Sequence, residues 1–362
     1  MFSLRSRTAL PRPVPAGLWL AAAFLAGCGV PGEPLPPLLE IPAPVQDLSV
    51  VQVGTQLQLA WTRPRLTTEG TRARRLDRME LYGAFLPGDA PLTSFTEQSS
   101  RLATILAQSL PETEERMVYT MPLDASHLGS QATFALKVLN DRGRDAGFSN
   151  VVSARIANLP EPPSALQAVL TEKAVRLNWT ASPQSALGGP AAPPAPSPAP
   201  TIDGYQVFRQ EAGSPVLAAV IGETPSPEYE DASFEFEHRY VYSVRAFVRQ
   251  GDSLAVTPLS APVEVAAVDR FAPAPPENVR AVAAPGAVEL AWSPSAEPDL
   301  AGYNVYRSEE AAFTKINSEL LRIPVFRDAT VRPGVRYRYQ VRASDAKGNE
   351  SGPSEEVPIT AE

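Results

Sequence analysis

Cysteine is almost missing from this chain: Cys28 stands alone among 362 residues. No disulfide can form within one copy, so stability must come from hydrophobic cores rather than cross-links. Histidine is nearly as scarce, with only His127 and His238. Each precedes a strand-like run, where a turn is expected, and reads as an exposed turn residue. Two isolated histidines and one cysteine exclude His/Cys metal centres of the usual spacing and leave a nucleophile without a base. No HExxH, P-loop, complete GxSxG constellation or CxxC pair is present. Positive charge is also in deficit. Lys+Arg number 32 against 40 Asp+Glu, a net of −8, which argues against nucleic acid as a partner. No apolar run is long enough to span a bilayer, which takes about 20 residues. Beyond residue 27 no stretch carries a long helical period.

What is present is repetition. Apart from Trp19, the tryptophans are Trp61, Trp179 and Trp292, and each ends one pattern. Leu57-Gln-Leu-Ala-Trp61 matches Val175-Arg-Leu-Asn-Trp179 and Val288-Glu-Leu-Ala-Trp292. The gaps of 118 and 113 residues suit a whole small domain rather than a solenoid unit. Apolar and polar residues alternate in the pattern, as on a strand with one buried face. A second strand follows at Met79-Glu-Leu81, Tyr205-Gln-Val207 and Tyr303-Asn-Val305. A third closes each unit at Phe134 to Val138, Tyr240 to Val244 and Tyr337 to Val341. Short strands broken by Gly, Pro, Asp and Asn predict an all-β fold of three tandem sandwiches, with the three tryptophans in their cores.

These residues resemble the fibronectin type III family. The third repeat carries it best, with Ala274-Pro275-Pro276 at its entry, Trp292, Gly302-Tyr303-Asn304-Val305-Tyr306-Arg307, then Arg332-Pro333-Gly334-Val335-Arg336-Tyr337. The resemblance implies a seven-stranded, immunoglobulin-like sandwich. It places Tyr337 and Tyr240 as tyrosine-corner residues whose hydroxyls bond to nearby backbone. It puts Phe134 at that corner in the first repeat, held by packing alone. It implies no chemistry, because the fold hosts many functions.

The N-terminus supplies a second signal. Arg5, Arg7 and Arg12 precede the apolar run Gly17 to Ala26, which has the size of a secretory core. Leu25-Ala26-Gly27-Cys28 resembles the bacterial lipobox. That resemblance implies cleavage before Cys28 and lipidation of its thiol. With Gly29 next, it also implies delivery to the outer membrane of a Gram-negative cell. Removing the three leader arginines from 32 leaves 29 Lys+Arg against 40 Asp+Glu, a net of about −11. The lipid, not bulk charge, is then the membrane anchor.

The expected organisation is a signal peptide over 1–27 and a proline-rich tether over 28–44. Sandwiches follow over 45–158, 159–270 and 271–362, the first degenerate. Proline, at 39 residues, clusters at the joints, where it suits semi-rigid spacers or protected strand edges. The Pro/Ala-rich stretch 183–200 cannot form a core. It reads as a mobile surface insertion, with a proline-rich ligand as the alternative. The matching place in the first repeat holds Arg63, Arg65, Arg72, Arg74, Arg75 and Arg78. They form either a solvated loop or an anion-binding patch. Glu228 to Glu237 gathers five carboxylates, but its spacing fits no calcium loop and Phe234 and Phe236 suggest strand alternation. No cofactor, metal or catalytic residue is expected, and the three repeats leave no stretch for a catalytic domain. The expectation is a non-enzymatic, lipid-anchored interaction protein of the bacterial envelope, binding a protein or polysaccharide. An accessory carbohydrate-binding role beside a separate hydrolase, or a role in envelope assembly, are the alternatives.

Overall fold

The computed structural model describes residues 40–74, 76–88, 94–109, 115–187, 200–251 and 253–362. The proposed leader, Cys28, most of the tether, Arg75 and residues 188–199 lie outside the described residues. The first unit comprises β1 (Ser49–Val53), β2 (Gln56–Thr62), β3 (Leu76–Leu86), β4 (Ser100–Leu106), β5 (Arg116–Pro122), β6 (Gln131–Asn140) and β7 (Val152–Arg155). The second comprises β8 (Ser164–Leu170), β9 (Val175–Thr180), β10 (Gly204–Glu211), β11 (Ala219–Thr224), β12 (Glu228–Asp231), β13 (His238–Gln250), β14 (Ser253–Val256) and β15 (Val263–Ala267). The third comprises β16 (Arg280–Ala284), β17 (Ala287–Ala291), β18 (Leu300–Ser308), β19 (Thr314–Lys315), β20 (Val325–Asp328), β21 (Arg336–Asp345) and β22 (Val357–Thr360).

The third unit displays the plan most simply. A three-stranded sheet, β16-β17-β20, faces a four-stranded one, β19-β18-β21-β22. Alternation puts Val288, Leu290 and Trp292 inward from one sheet, and Tyr303, Val305, Tyr337, Tyr339 and Val341 inward from the other. All three units are all-β, fibronectin type III-like sandwiches of this kind. Trp61, Trp179 and Trp292 are 1%, 6% and 6% exposed. Trp179 and Trp292 pack edge-on to Tyr205 and Tyr303, each at 5.2 Å. In the first unit Met79 takes that place beside Trp61.

The tyrosine corners form as the resemblance implies. The Glu235 backbone N–H donates to the Tyr240 hydroxyl at 3.1 Å, and the Arg332 N–H to the Tyr337 hydroxyl at 3.0 Å. The first unit differs from expectation. Leu81 pairs with Leu136 as Val305 pairs with Val341, and Asn140 accepts from its turn as Asp345 does. This register aligns Phe134 with Tyr339, not with Tyr337. The corner position therefore falls to Ala132, one pleat earlier. Strand-end residues are hard to align when the aromatic itself has been lost.

The joints hold the larger surprise. Proline spacers predict separable units, yet the first two share a sheet. β13 is three residues longer than β21 and turns back as β14, which pairs in parallel with β1 of the first unit. The result is one eight-stranded sheet running through both units. The connecting segment is not a spacer: Ala157 and Leu159 are buried with Val248 and Ala255. Gln52, fully buried, clamps it, donating to the Ala157 carbonyl at 3.0 Å and accepting from its N–H at 2.8 Å. The stretch 183–200 also begins differently from expectation. Ala186 N–H donates to the Leu159 carbonyl, Ser185 bonds Asn158, and Leu187 enters the core of the first unit. Leu187 and these two hydrogen bonds together anchor the start of the stretch.

Candidate functional site

Several clusters of side chains could carry chemistry. In the second and third units a buried acid projects from the three-stranded sheet toward the larger sheet opposite. Asp231 accepts from Arg209 Nη1 at 2.7 Å, the Tyr242 hydroxyl at 2.9 Å and the Ser233 hydroxyl at 2.7 Å. Asp328 repeats this with Arg307, Tyr339 and Thr330. Burial pushes these carboxyls up, but the hydrogen bonds outweigh it and hold both below the usual aspartate range. Burial, and then the neighbouring carboxylate, push the Tyr242 and Tyr339 hydroxyls up. Each arginine also lies 4.9 Å over the corner tyrosine ring. With both carboxylate oxygens of each aspartate engaged inside, this cluster is a structural lock rather than a reaction centre.

The first unit has no such lock. Gly83, Met121 and Phe134 occupy the arginine, aspartate and tyrosine positions. A Cβ on Gly83 would lie 2.7 Å from the Phe134 ring, so the ring fills the space an arginine occupies elsewhere. All three members changed together, from a polar cluster to apolar packing.

The arginine loop of the first unit is partly neutralised. Arg78 pairs with Asp77 at 2.7 Å and with the buried Glu80 at 3.2 Å, beside Arg101. Arg65 pairs with Glu115 at 3.0 Å, and Arg63 is half-buried and engaged. Arg72 and Arg74 are exposed and enter no ion pair among the described residues. The anion patch is therefore narrower than six arginines in sequence imply, because strand pairing turns Arg78 toward Glu80. The acidic run in the second unit is likewise dispersed. Asp231 is internal, Glu230 pairs with Arg176, and Glu237 pairs with Lys347 of the third unit.

Neither histidine is fully exposed. His127 closes a capping box with Asp124 and lies 4.4 Å from the Phe85 ring. His238 pairs with Glu211 at 2.9 Å and stacks on Tyr240. One acidic cluster went unnoticed in the sequence. Asp269, Asp299 and Asp345 bring carboxylate oxygens within 4.8 Å of one another at the joint between the second and third units. Oxygen donors of this kind suit a hard cation. Asp345, however, is already engaged by the Lys347 and Asn349 N–H groups and the Asn349 amide. Residues so far apart in the chain leave no spacing signal.

Two open surfaces remain. The outer face of β16-β17-β20 lines a shallow, mostly apolar groove with Val282, Ala291 and Val325, bounded by Arg280 and the Glu289–Arg327 pair. A polar cleft of about 760 Å³ lies where the first two units meet, lined by Gln131, Ser153, Arg155, Gln250, Gly251 and Ser253. Sequence reading could not find it, because its walls are far apart in the chain and are brought together by the β14–β1 pairing and the packing of β14 beside β7.

Comparison with known proteins gives partial likenesses. No family model matches the chain. Exoglucanase B of Cellulomonas fimi is 28% identical over 209 residues, 56% of this chain and 16% of that enzyme. Endoglucanase B of the same organism is 33% identical over 170 residues, 44% of this chain and 15% of the enzyme. An amylopullulanase of Thermoanaerobacterium thermosulfurigenes is 40% identical over 91 residues, 25% and 5% of the two chains. The similar stretches thus make up at most 16% of these enzymes. The FN1-FN3 domains of chicken CNTN1 align with 88% of this chain and 99% of theirs, at 16% identity and a TM-score of 0.26.

Proposed function

We propose that this chain is a non-catalytic scaffold of the bacterial cell envelope, held to the membrane through a lipid on Cys28. It engages polysaccharide, or a protein partner working on polysaccharide, through its tandem sandwiches. One observation carries the reading. The chain resembles short stretches of enzymes named for different glucans, an exoglucanase, an endoglucanase and an amylopullulanase. Enzymes of different specificity that share a β-sandwich stretch share a scaffold, not an active centre. The groups that would do acid–base work support this. The buried aspartates are locked to arginine and tyrosine, and both histidines are engaged at turns. The anchor reading rests on the single cysteine after Leu25-Ala26-Gly27.

Two measurements test it. Membrane fractionation and mass spectrometry should find the parent chain lipidated in membranes, and Cys28→Ser soluble or uncleaved. Equal fractionation and mass would remove the anchor. Sedimentation with insoluble cellulose, starch and peptidoglycan, alongside crosslinking in cells, should retain the protein on a polysaccharide or recover one stoichiometric partner. Release of reducing sugar by the purified protein would overturn the non-catalytic reading.

A further inference from the structure

The most exposed large apolar side chains among the described residues are Leu217 and Val216, 86% and 70% exposed, at the bend between β10 and β11. The bend is held in shape. Gln210 donates its carboxamide N–H groups to the Ser214 and Val216 carbonyls at 3.1 and 2.9 Å, and the Val216 N–H donates to the Ser214 hydroxyl at 3.2 Å. Pro215 fixes its own backbone torsion between them. An apolar finger ordered in this way loses little entropy when it docks. The equivalent bend of the third unit, between β18 and β19, carries Glu309 and Glu310, so the sandwich does not itself require apolar residues there.

The third unit leaves a matching hollow. Cross-strand partners Arg280, Ala291 and Val325 form one row on the outer face of β16-β17-β20, and Val282, Glu289 and Arg327 the next. They line the groove, of about 630 Å³. With Trp179 aligned to Trp292, the second unit holds Asn178 in place of Ala291 and Glu228 in place of Val325, so its face is polar. The first unit keeps Val51, Ala60 and Val118, but has Ser49 and Thr120 where Arg280 and Arg327 stand. Of the three units, the third alone combines an apolar floor with a cationic rim. Its rim sets two guanidiniums against one carboxylate, and Arg280 enters no ion pair among the described residues. The base of the finger has the opposite sign: Glu211 and Glu235 both reach His238, at 2.9 and 3.7 Å. A negative base meets a positive rim when the apolar tip enters the floor. Within one chain both surfaces stand open to water, so a second copy is the occupant that satisfies both.

We propose that Val216 and Leu217 of one copy dock in the Val282–Ala291–Val325 groove of another, with Glu211 and Glu235 facing the arginine rim. The contact is heterologous. Each copy uses a finger or a groove and keeps the other free, so copies add head to tail. Two apolar side chains cover less than the ~1,200 Å² of a stable interface, so the pairing is weak and grows with concentration. The proposed lipid anchor would raise that concentration by confining copies to a plane, but the pairing itself does not need it.

The test is oxidative crosslinking between two differently tagged full chains, each carrying Cys28→Ser so that neither a lipid nor a second thiol intervenes. A Leu217→Cys copy mixed with a Val325→Cys copy should give at least about tenfold more mixed disulfide than the same copy mixed with Val118→Cys, the matching position of the first unit. The yield should rise with protein concentration. Arg280→Glu with Arg327→Glu on the groove copy should cut it, and about 0.5 M salt should lower it too. All these positions are exposed, so melting temperatures should match the parent. Equal yield from the Val118→Cys control, or no mixed disulfide at the highest concentration, would overturn the inference. Leu217→Cys copies that crosslink to each other in preference would mean finger against finger, and Val325→Cys copies that do so would mean groove against groove; either result overturns it. A chain carrying both cysteines that closes only an internal disulfide would put the finger on its own groove and remove the second copy as occupant. None of these outcomes bears on the anchor or the polysaccharide role, which fractionation and sedimentation decide.

Discussion

The two joints of this molecule are written in similar sequence and built in opposite ways. Leu159-Pro-Glu-Pro-Pro163 and Phe271-Ala-Pro-Ala-Pro-Pro276 both read as proline spacers. The first is buried: Leu159 is fully covered, Gln52 clamps Ala157, and β14 continues the sheet of one unit into the next. The second is held by surface contacts. Lys347 reaches Glu237 at 3.3 Å, Asn349 reaches the Asp269 carbonyl at 3.4 Å, and Phe236 meets Phe271 at 6.0 Å between ring centres. Backbone ladders and buried amides resist separation; half-exposed ion pairs and one ring contact do not. The difference makes the first two units one mechanical body and leaves the third an appended one.

The strongest way to break this contrast is to empty one core at a time. Trp292→Ala should cost the third unit about 3–5 kcal/mol, the usual loss for a truncated buried aromatic. That is a large share of the stability of a domain this size. The third unit should unfold alone, leaving the other two in place. Trp61→Ala should cost the first unit a similar amount, but the second should lose stability with it, since β14 would then lose its β1 partner and keep only β13. Differential scanning calorimetry with limited proteolysis reads both. Independent loss of the first unit in Trp61→Ala would mean that the shared sheet does not couple them.

Asp328→Asn acts within the third unit alone. It leaves Arg307 facing a neutral partner in a buried site and should cost about 3 kcal/mol at neutral pH. The sign with pH follows from the lowered carboxyl. Its contribution is fully present above the unfolded aspartate range, near pH 4, and disappears as pH falls through the lower folded value. The gap between parent and variant should therefore be constant from pH 7 to about 4 and close below it. A constant gap down to pH 2 would show that the charge of Asp328 contributes nothing.

How much of this was legible follows from where each signal lives. The all-β class and the buried tryptophans came from period-two alternation, which local burial imposes on the chain. The corner tyrosines came from a resemblance whose motif is local. The misplacement of Phe134 arose where the first unit replaced arginine, aspartate and tyrosine by Gly83, Met121 and Phe134, so an aromatic survived two residues from the corner. The shared sheet, the Gln52 clamp, the cleft around Arg155 and the Asp269–Asp299–Asp345 cluster had no local signature. Each depends on residues about 30 to 200 positions apart, brought together by strand pairing and packing between units. The one local hint, a β13 run three residues longer than its counterpart, lies within the usual error of strand boundaries.

Gln52 tests the first joint directly. Gln52→Leu keeps much of the side-chain volume but leaves the Ala157 N–H and carbonyl buried without partners. One stranded backbone group costs about 1–3 kcal/mol. The loss should appear as weaker cooperativity between the first two units, and hydrogen exchange should quicken at Ala157 and Gly54 while Val288 and Leu290 stay protected. Unchanged exchange at Ala157 would mean that the clamp adds nothing to the β14–β1 ladder.

The smallest effect belongs to the second joint. Lys347 and Glu237 are each about half exposed, so their pair is worth at most about 1 kcal/mol and is screened by salt. Lys347→Ala should leave every unit as stable as before, because neither residue belongs to a core. What should change is the spread of orientations of the third unit, read as a broader distance distribution between spin labels on the second and third units. Raising salt from 0.05 to 0.5 M should broaden the parent toward the variant and leave the variant almost unmoved. The same labels placed on the first and second units should report one narrow distance at both salt concentrations, since a backbone ladder carries no net charge to screen. If the second joint stays equally narrow in Lys347→Ala at high salt, the Phe236–Phe271 contact and the proline segment are sufficient to fix it. The three units would then form one rigid body.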